Sequence, residues 1–323
     1  MKKIFLLSAE LYGYEKVIIE NFLKMGYKVD FLDYSKKNYK KAREISNFFI
    51  RLYNDIYLRK YKKINLKDKL EAKELNKDLL EINGREYEYF IKIGPIFLEE
   101  SSLKILKEKF KICISHHWDT IEKNNEKKFL LEKNYFKKVS SYNKKDSIKY
   151  NVSYLPNFYY KTVKNNIYIK NSIFTIMSDF SRLEFLEKIA KNLKNNEIDY
   201  DINLITSKKI NSNLIKVSNK SIKLDSVLNE ILRHKAVLEL VRERNKGCST
   251  FRAIECIGLR KKLITNNKDI VYEDYYNKNN ILIIDEKNIN IPKEFIESPY
   301  EEIPKEIFEK YKIENWIRNL IKI

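Results

Sequence analysis

The sequence predicts an α/β protein made of two Rossmann-like, doubly wound domains that face a central cleft. Its 323 residues are enough for two such domains. Short β-rich runs alternate with segments of helical apolar spacing, which is the pattern of parallel sheets. The alternation restarts after Pro156-Asn157. We therefore predict domains at residues 1–160 and 161–300, and a final helix in 301–323 that crosses back to the first domain.

The first half begins with one complete strand–helix–strand unit. Lys3–Ser8 is β-rich, Glu15–Met25 has helical spacing, and Gly26 suits a helix end. Lys28–Leu32 supplies the next strand. Beyond it we predict a largely helical segment at Tyr39–Leu80, strands at Tyr87–Ile93, Lys111–Ser115 and Lys137–Ser140, and helices at Leu98–Phe110 and Lys144–Tyr150.

The second half repeats the same alternation. Predicted strands are Asn171–Met177, Asp201–Thr206, Lys235–Val241, Lys262–Thr265 and Ile281–Ile284. Predicted helices are Arg182–Leu193, Leu224–Ile231, Phe251–Gly258 and a closing helix at Pro304–Ile321. In open α/β sheets ligands lie beyond the carboxyl ends of the strands, so the loops that follow these strands are the candidate sites.

The chain is strongly basic, with 64 Lys and Arg against 45 Asp and Glu and a net charge of +19. One interpretation of this charge is that the protein binds a nucleic acid. Acidic residues interrupt the basic ones almost everywhere, however, and the abundance of Lys, Asn and Ile suggests a compositional bias. The remaining excess suits phosphate-bearing substrates or a peripheral contact with an anionic membrane, and we expect no specific nucleic acid.

Cysteine usage and hydropathy predict a cytoplasmic protein, and the basic charge suits a place at the inner face of the cytoplasmic membrane. Cys113, Cys248 and Cys256 show no paired spacing, so we expect buried free thiols. No window has the ~20 apolar residues of a membrane span. We expect no metal site, because the third histidine is remote from the other two and no cysteine pair completes a ligand set.

The most informative stretch for chemistry is Lys246–Gly258. Gly247 permits close approach of a ligand, and Ser249 or Thr250 can cap the following helix. Free amides at that helix start, together with Arg252, suit a diphosphate. Glu255 follows Arg252 by three residues and can accept hydrogen bonds from a ribose. The alternative is an ordinary Arg–Glu pair on a solvated helix.

The run FRAIECIGLRKKLITNN, residues 251–267, resembles the signature of GT-B glycosyltransferases. Later segments, YEDYYNKNNILIID and PYEEIPKEIFEKYKIENWI, resemble the CgeB-like, lipopolysaccharide-biosynthesis branch, as do SHHWDT and DSIKYNVSYLPNFY in the first half. The resemblance implies that Glu255 holds the nucleotide ribose. It also implies that Arg182 and the loop at Ser178 face the donor diphosphate.

The chain departs from that family at two positions. Many retaining members carry a second glutamate eight residues before the first, and Gly247 stands there in this chain. The loop that begins with Met177-Ser178 lacks a glycine found in many relatives. The stereochemistry of transfer therefore cannot be read from the motif. A catalytically inactive GT-B scaffold remains one alternative.

The first domain offers the predicted acceptor side and a candidate base. In SHHWDT, alternation along an extended segment places His117 and Asp119 on one face, where either could deprotonate an acceptor hydroxyl. The alternative is a structural turn. Neighbouring loops add the predicted acceptor-side residues Gly13, Tyr14, Gly94 and Trp118.

Together these features predict a hexosyltransferase-like enzyme. It would move a sugar from a nucleotide-sugar donor to a surface-glycan, capsule or lipid-linked acceptor. The resemblance implies no cofactor beyond the donor substrate. A basic nucleic-acid-binding protein is the alternative from another class.

Overall fold

The computed structural model describes residues 1–10, 12–35, 39, 41, 44, 47–49, 66–121, 125–163, 170–178, 180–242 and 248–323. Most of the predicted helical segment between residues 39 and 65 lies outside these residues. The chain divides into two compact units. The first comprises residues 1–142, 146–155 and 317–323, and the second comprises 143–145 and 156–316.

The first unit contains a parallel sheet whose described strands run in the order β2-β1-β3-β4-β5-β6. Their bounds are β1 Lys3–Ser8, β2 Lys28–Asp33, β3 Tyr89–Ile93, β4 Cys113–His117, β5 Lys138–Ser141 and β6 Ser153–Tyr154. The strand order reverses between β1 and β3. In a doubly wound sheet such a reversal opens a crevice beyond the carboxyl ends of the two strands.

Helices connect these parallel strands: α1 Tyr14–Lys24, α2 Leu66–Glu81, α3 Glu100–Lys109, α4 Glu126–Lys133 and α5 Lys144–Tyr150. Helix α1 buries Val17, Ile18 and Phe22 on one face. Leu75 and Leu79 of α2 belong to a core cluster with residues from the strands and from α3 and α4. The helices therefore cover the sheet with their apolar faces, as the sequence spacing predicts.

The second unit contains another parallel sheet, with described strands in the order β12-β11-β10-β7-β8-β9. The strands are β7 Lys170–Ser178, β8 Asp199–Ile205, β9 Lys216–Ser218, β10 His234–Glu239, β11 Lys262–Thr265 and β12 Ile281–Ile283. Counted from β7, this is the 3-2-1-4-5-6 order of dinucleotide-binding sheets, with its reversal between β7 and β10.

The helices of the second half are α6 Leu183–Asn195, α7 Leu224–Arg233, α8 Phe251–Gly258, α9 Lys293–Glu297, α10 Lys305–Lys310 and α11 Ile313–Ile321. Helix α6 buries Leu186, Ile189 and Leu193 on one face, in a core shared with β7, β8 and β10. Two separate parallel sheets confirm the predicted pair of doubly wound α/β folds. That they face a common cleft stays a prediction.

Two sequence-based expectations about elements are wrong. The predicted closing helix at Pro304–Ile321 is two helices, because the backbone of Tyr311 and Ile313 hydrogen-bonds Tyr159 instead of continuing the helix. The predicted strand Lys111–Ser115 is β4, Cys113–His117, which places both histidines inside the sheet. Strand β9 and helix α9 were not predicted.

The three cysteines are buried free thiols, as predicted. Burial raises the pKa of the Cys113 thiol to about 12. Among the residues with described positions, no helix combines the length and the apolar character that a membrane crossing requires.

Candidate functional site

The second unit has a pocket at the reversal of its strand order. Its volume is about 1020 Å³, and it is lined by residues that follow four neighbouring strands. Arg182 follows β7, Val241 follows β10, Asn266 follows β11 and Asp285 follows β12. The pocket therefore lies where a doubly wound sheet binds its ligand.

Basic side chains dominate the charge of this pocket. Its lining contains the basic residues Arg182, Lys188, Arg242, Lys268 and Lys287, against the acidic residues Asp285 and Glu286. Lys268 pairs with Asp285 at 2.6 Å, and Lys188 lies 3.9 Å from Glu286. These pairs offset part of the charge, and the excess of basic groups favours an anionic ligand.

The start of helix α8 is organised by Thr250. The Thr250 Oγ1 accepts a hydrogen bond from the backbone N–H of Ala253 at 3.2 Å, so Thr250 is the N-cap. The sequence left Ser249 and Thr250 as alternative caps, and the structure selects Thr250. The amides of the first turn carry the positive end of the helix dipole.

Arg252 and Glu255 form an ion pair on α8, with 2.9 Å between Arg252 Nη1 and Glu255 Oε2. The Glu255 side chain is 3% exposed and that of Arg252 is 22% exposed. The pair exists, but the buried carboxylate does not belong to a solvated helix face. The assignment of Glu255 to a ribose stays a prediction.

The remaining predicted donor-side residues differ in their placement. Ser249 is fully buried, and its hydroxyl lies 3.3 Å from the Tyr275 hydroxyl, so it contributes to packing beneath the helix start. Ser178 is the exposed last residue of β7. Arg182 precedes α6 and lines the pocket. Gly247 lies outside the described residues.

Glu239 is a residue that sequence reasoning missed. It ends β10 and is buried, and its Oε1 accepts a hydrogen bond from the Thr250 hydroxyl. Burial raises the pKa of Glu239, Glu255 raises it further, and Thr250, Arg252 and Arg182 partly oppose the rise. The sequence signal was a carboxylate directly after the apolar run Ala236–Leu238.

In the first unit, two of the predicted acceptor-side residues contact one another at the carboxyl edge of the sheet. The rings of Tyr14 and Trp118 meet edge to face, with 6.3 Å between their centroids. Gly13 precedes α1 with φ of 105°, and Gly94 follows β3 with φ of 110°. Both conformations favour glycine, so these two residues shape the loops that follow β1 and β3.

His117 is a core residue of the first unit and does not lie in an open loop. It is 1% exposed, and its Nε2 lies 3.0 Å from Glu132 Oε2 and 3.3 Å from Lys92 Nζ. Burial and the Lys92 charge lower the pKa of His117 to about 4. The expectation that His117 projects from a loop is therefore wrong, because β4 extends two residues further than predicted.

Lys92 and Glu132, which the sequence analysis did not single out, complete this buried cluster. Lys92 Nζ lies 3.0 and 2.9 Å from the two Glu132 carboxylate oxygens, and Glu132 Oε1 also accepts the backbone N–H of Leu98. Burial acts to raise the pKa of Glu132. The charge of Lys92 and the hydrogen bonds from His117 and Lys92 outweigh that effect and hold the pKa below its ordinary value.

Asp119 lies beyond the end of β4 and is partly exposed. Its Oδ1 accepts the backbone N–H of the adjacent Thr120 at 2.9 Å. The side chain therefore stabilises the turn after β4. Its role toward a substrate stays a prediction.

No protein-family model matches the chain, and no curated protein matches it in sequence. Solved structures do match. The apo structure of OtsA has a TM-score of 0.62 at 10% identity, with 100% of both chains covered. A trehalose-6-phosphate synthase structure has a TM-score of 0.59 at 10% identity, with 99% of both chains covered.

The UDP-GlcNAc 2-epimerase of Methanocaldococcus jannaschii matches with a TM-score of 0.54 at 12% identity, and 99% of both chains is covered. Identities this low establish the fold alone. The matches thus include proteins named as glycosyl-transferring enzymes and as epimerases. The chain has the GT-B fold that these proteins share.

Proposed function

We propose that this protein is a glycosyltransferase that binds a nucleotide-sugar donor in its second unit. The pocket at the β7–β10 reversal carries the proposal, because it combines the position of a nucleotide site with a basic lining. Arg182 and the amides at the start of α8 would bind the diphosphate, with Arg252 nearby. Glu255 would accept the ribose hydroxyls.

On the acceptor side we propose the carboxyl edge of the first unit's sheet. Trp118, which is partly exposed, would contact a glycan or a lipid-linked acceptor, with the buried Tyr14 packed against it and Gly13 and Gly94 shaping the loops. Asp119 is the candidate base, since its side chain is partly exposed. The resemblance to the lipopolysaccharide branch and the net charge of +19 support a cytoplasmic protein that contacts anionic membrane.

Binding and transfer should be tested separately. Thermal unfolding with UDP-, GDP-, CMP- and dTDP-sugars identifies the nucleotide, because a ligand that binds the folded state raises the unfolding temperature. Product analysis with that donor then measures sugar transfer, epimerisation or neither. Binding without transfer to any glycan acceptor would favour an inactive scaffold. Salt-sensitive binding of DNA or RNA without nucleotide-sugar binding would favour the nucleic-acid alternative.

The substitution Glu255→Ala tests the donor site. Loss of a charge-assisted hydrogen bond costs roughly 1.5–3 kcal/mol, so nucleotide affinity should fall about tenfold or more. Titration calorimetry measures the affinity. Glu230→Ala, at an exposed position on α7, serves as the control and should keep wild-type affinity. Unchanged affinity in a folded Glu255→Ala protein would contradict the assignment.

A further inference from the structure

The carboxyl group of Glu239 has an incomplete set of hydrogen bonds. Its Oε1 accepts the Thr250 hydroxyl, but its Oε2 is buried and has no hydrogen-bond partner among the described residues. The residue as a whole is 8% exposed. A buried carboxylate oxygen without a donor is costly, so either the group holds a proton or another molecule completes it.

Glu239 is also adjacent to the proposed donor pocket. The next two residues of the chain, Leu240 and Val241, line that pocket, and so does Arg182. Thr250, the partner of Oε1, caps α8. The carboxyl group therefore lies beside the region where the proposed diphosphate would meet Arg182 and the start of α8.

The charged and titratable groups described around Glu239 are Arg182 before α6 and Arg252, Glu255 and Cys256 on α8. The two arginines favour the ionised carboxylate, while Glu255 and burial oppose it. Burial is the largest of these effects, so the pKa of Glu239 is raised. A bound diphosphate would add negative charge beside the same group and shift the balance further toward the protonated form.

We infer that binding of a nucleoside diphosphate in this pocket is coupled to the uptake of one proton by Glu239. The proton comes from the buffer. It removes a negative charge that would repel the diphosphate. The inference rests on the proposed function, because it requires the diphosphate to occupy the pocket of the second unit.

Titration calorimetry with UDP tests the inference. If the thermal-unfolding experiment identifies a GDP- or dTDP-sugar as the donor, GDP or dTDP replaces UDP. Titrations in buffers of different ionisation enthalpy give the number of protons taken up. Wild type should take up more protons than Glu239→Gln, by a difference that approaches one. Its affinity should fall with rising pH by up to about tenfold per pH unit more than that of the variant. Comparison with the variant cancels the protonation of the nucleotide itself.

Glu230→Gln, the same chemical change at an exposed position of the second unit, should show wild-type proton uptake. Equal uptake in wild type and Glu239→Gln, with binding retained, would overturn the inference and leave the proposed function standing. Failure of the wild type to bind any nucleoside diphosphate would overturn both.

Thr250→Val gives a second measurement if Glu239→Gln does not fold. It removes the hydroxyl that favours the ionised carboxylate, so the pH range of proton uptake should move upward. An unchanged range in a folded Thr250→Val protein would count against the inference.

Discussion

Two buried glutamates, Glu132 in the first unit and Glu239 in the second, have pKa values shifted in opposite directions. Glu132 is fully buried but pairs with Lys92, lies 3.0 Å from His117 and accepts a backbone N–H, and its pKa is lowered. Within the described part of the chain, the Glu239 carboxyl accepts one hydroxyl hydrogen bond and its Oε2 has no hydrogen-bond partner, and its pKa is raised. Both side chains are buried, so the number and charge of the donors decide the direction in which each pKa shifts.

The comparison separates a carboxylate whose hydrogen bonds are completed within the core from a carboxyl group whose hydrogen bonds are incomplete among the described residues. In the Lys92–Glu132–His117 cluster, hydrogen bonds within the core pair both oxygens of the Glu132 carboxylate. The rings of Phe97 and Phe129 pack against the His117 ring. Glu239 lies where β10 ends, beside a pocket.

The largest expected effect is on the stability of the first unit. Lys92→Met leaves the Glu132 carboxylate buried without its cation, which should lower the free energy of unfolding by about 3–5 kcal/mol. The chain has two tryptophans, so a Trp316→Phe background leaves Trp118 as a fluorescent reporter of the first unit during denaturation.

The double substitution Lys92→Met with Glu132→Leu should recover much of that loss, because it removes both charges. The control is Lys104→Met at the exposed Lys104–Glu100 pair, which should leave unfolding unchanged. A Lys92→Met protein as stable as this control would show that the cluster is not what distinguishes Glu132 from Glu239.

The next effect is a pH dependence of stability. The folded-state pKa of His117 is about 4, below its ordinary value of 6.5. The contribution of neutral His117 to the free energy of unfolding is therefore complete above pH 6.5 and is lost as the pH falls toward 4. The pKa of buried His116 is also lowered, so it contributes in the same direction. His117→Gln should remove one titrating group. Between pH 4 and 6.5, the slope of the free energy of unfolding against pH should then fall by about 1.4 kcal/mol per pH unit. Denaturation of the first unit at several pH values measures the slope, and an unchanged slope would contradict the assignment.

The smallest effect is that of Glu239→Gln on the second unit, and the same substitution at Glu132 serves as its comparison. Glu132→Gln should destabilise the first unit, because Lys92 loses its counter-charge. Glu239→Gln should change the stability of the second unit by no more than ~1 kcal/mol near pH 5. Because the pKa of Glu239 is raised, wild type loses stability as the pH rises through that pKa, whereas the variant does not.

The stability of the Glu239→Gln protein relative to wild type should therefore increase as the pH rises. Denaturation followed by Trp316 in a Trp118→Phe background tests this difference, since Trp316 belongs to the second unit. Destabilisation by Glu239→Gln that grows with pH would reverse the sign and contradict the raised pKa.

The sequence predicted the features that depend on near neighbours in the chain. Alternating β-rich runs and helical spacing predicted both parallel sheets, and the cap-forming residues at 249 and 250 predicted the start of α8. The pairing of Arg252 with Glu255 follows from one turn of helix. These interactions are local, so composition and spacing are sufficient to indicate them.

Tertiary structure decided which charged groups meet. Lys92 and Glu132 are 40 positions apart in the sequence, and Thr250 is 11 positions from Glu239, so no local pattern pairs them. It also decided that His117 is covered, because the end of β4 depends on its pairing with β5. Charge state is set by burial and by neighbours in space, and the sequence by itself specifies neither at these positions.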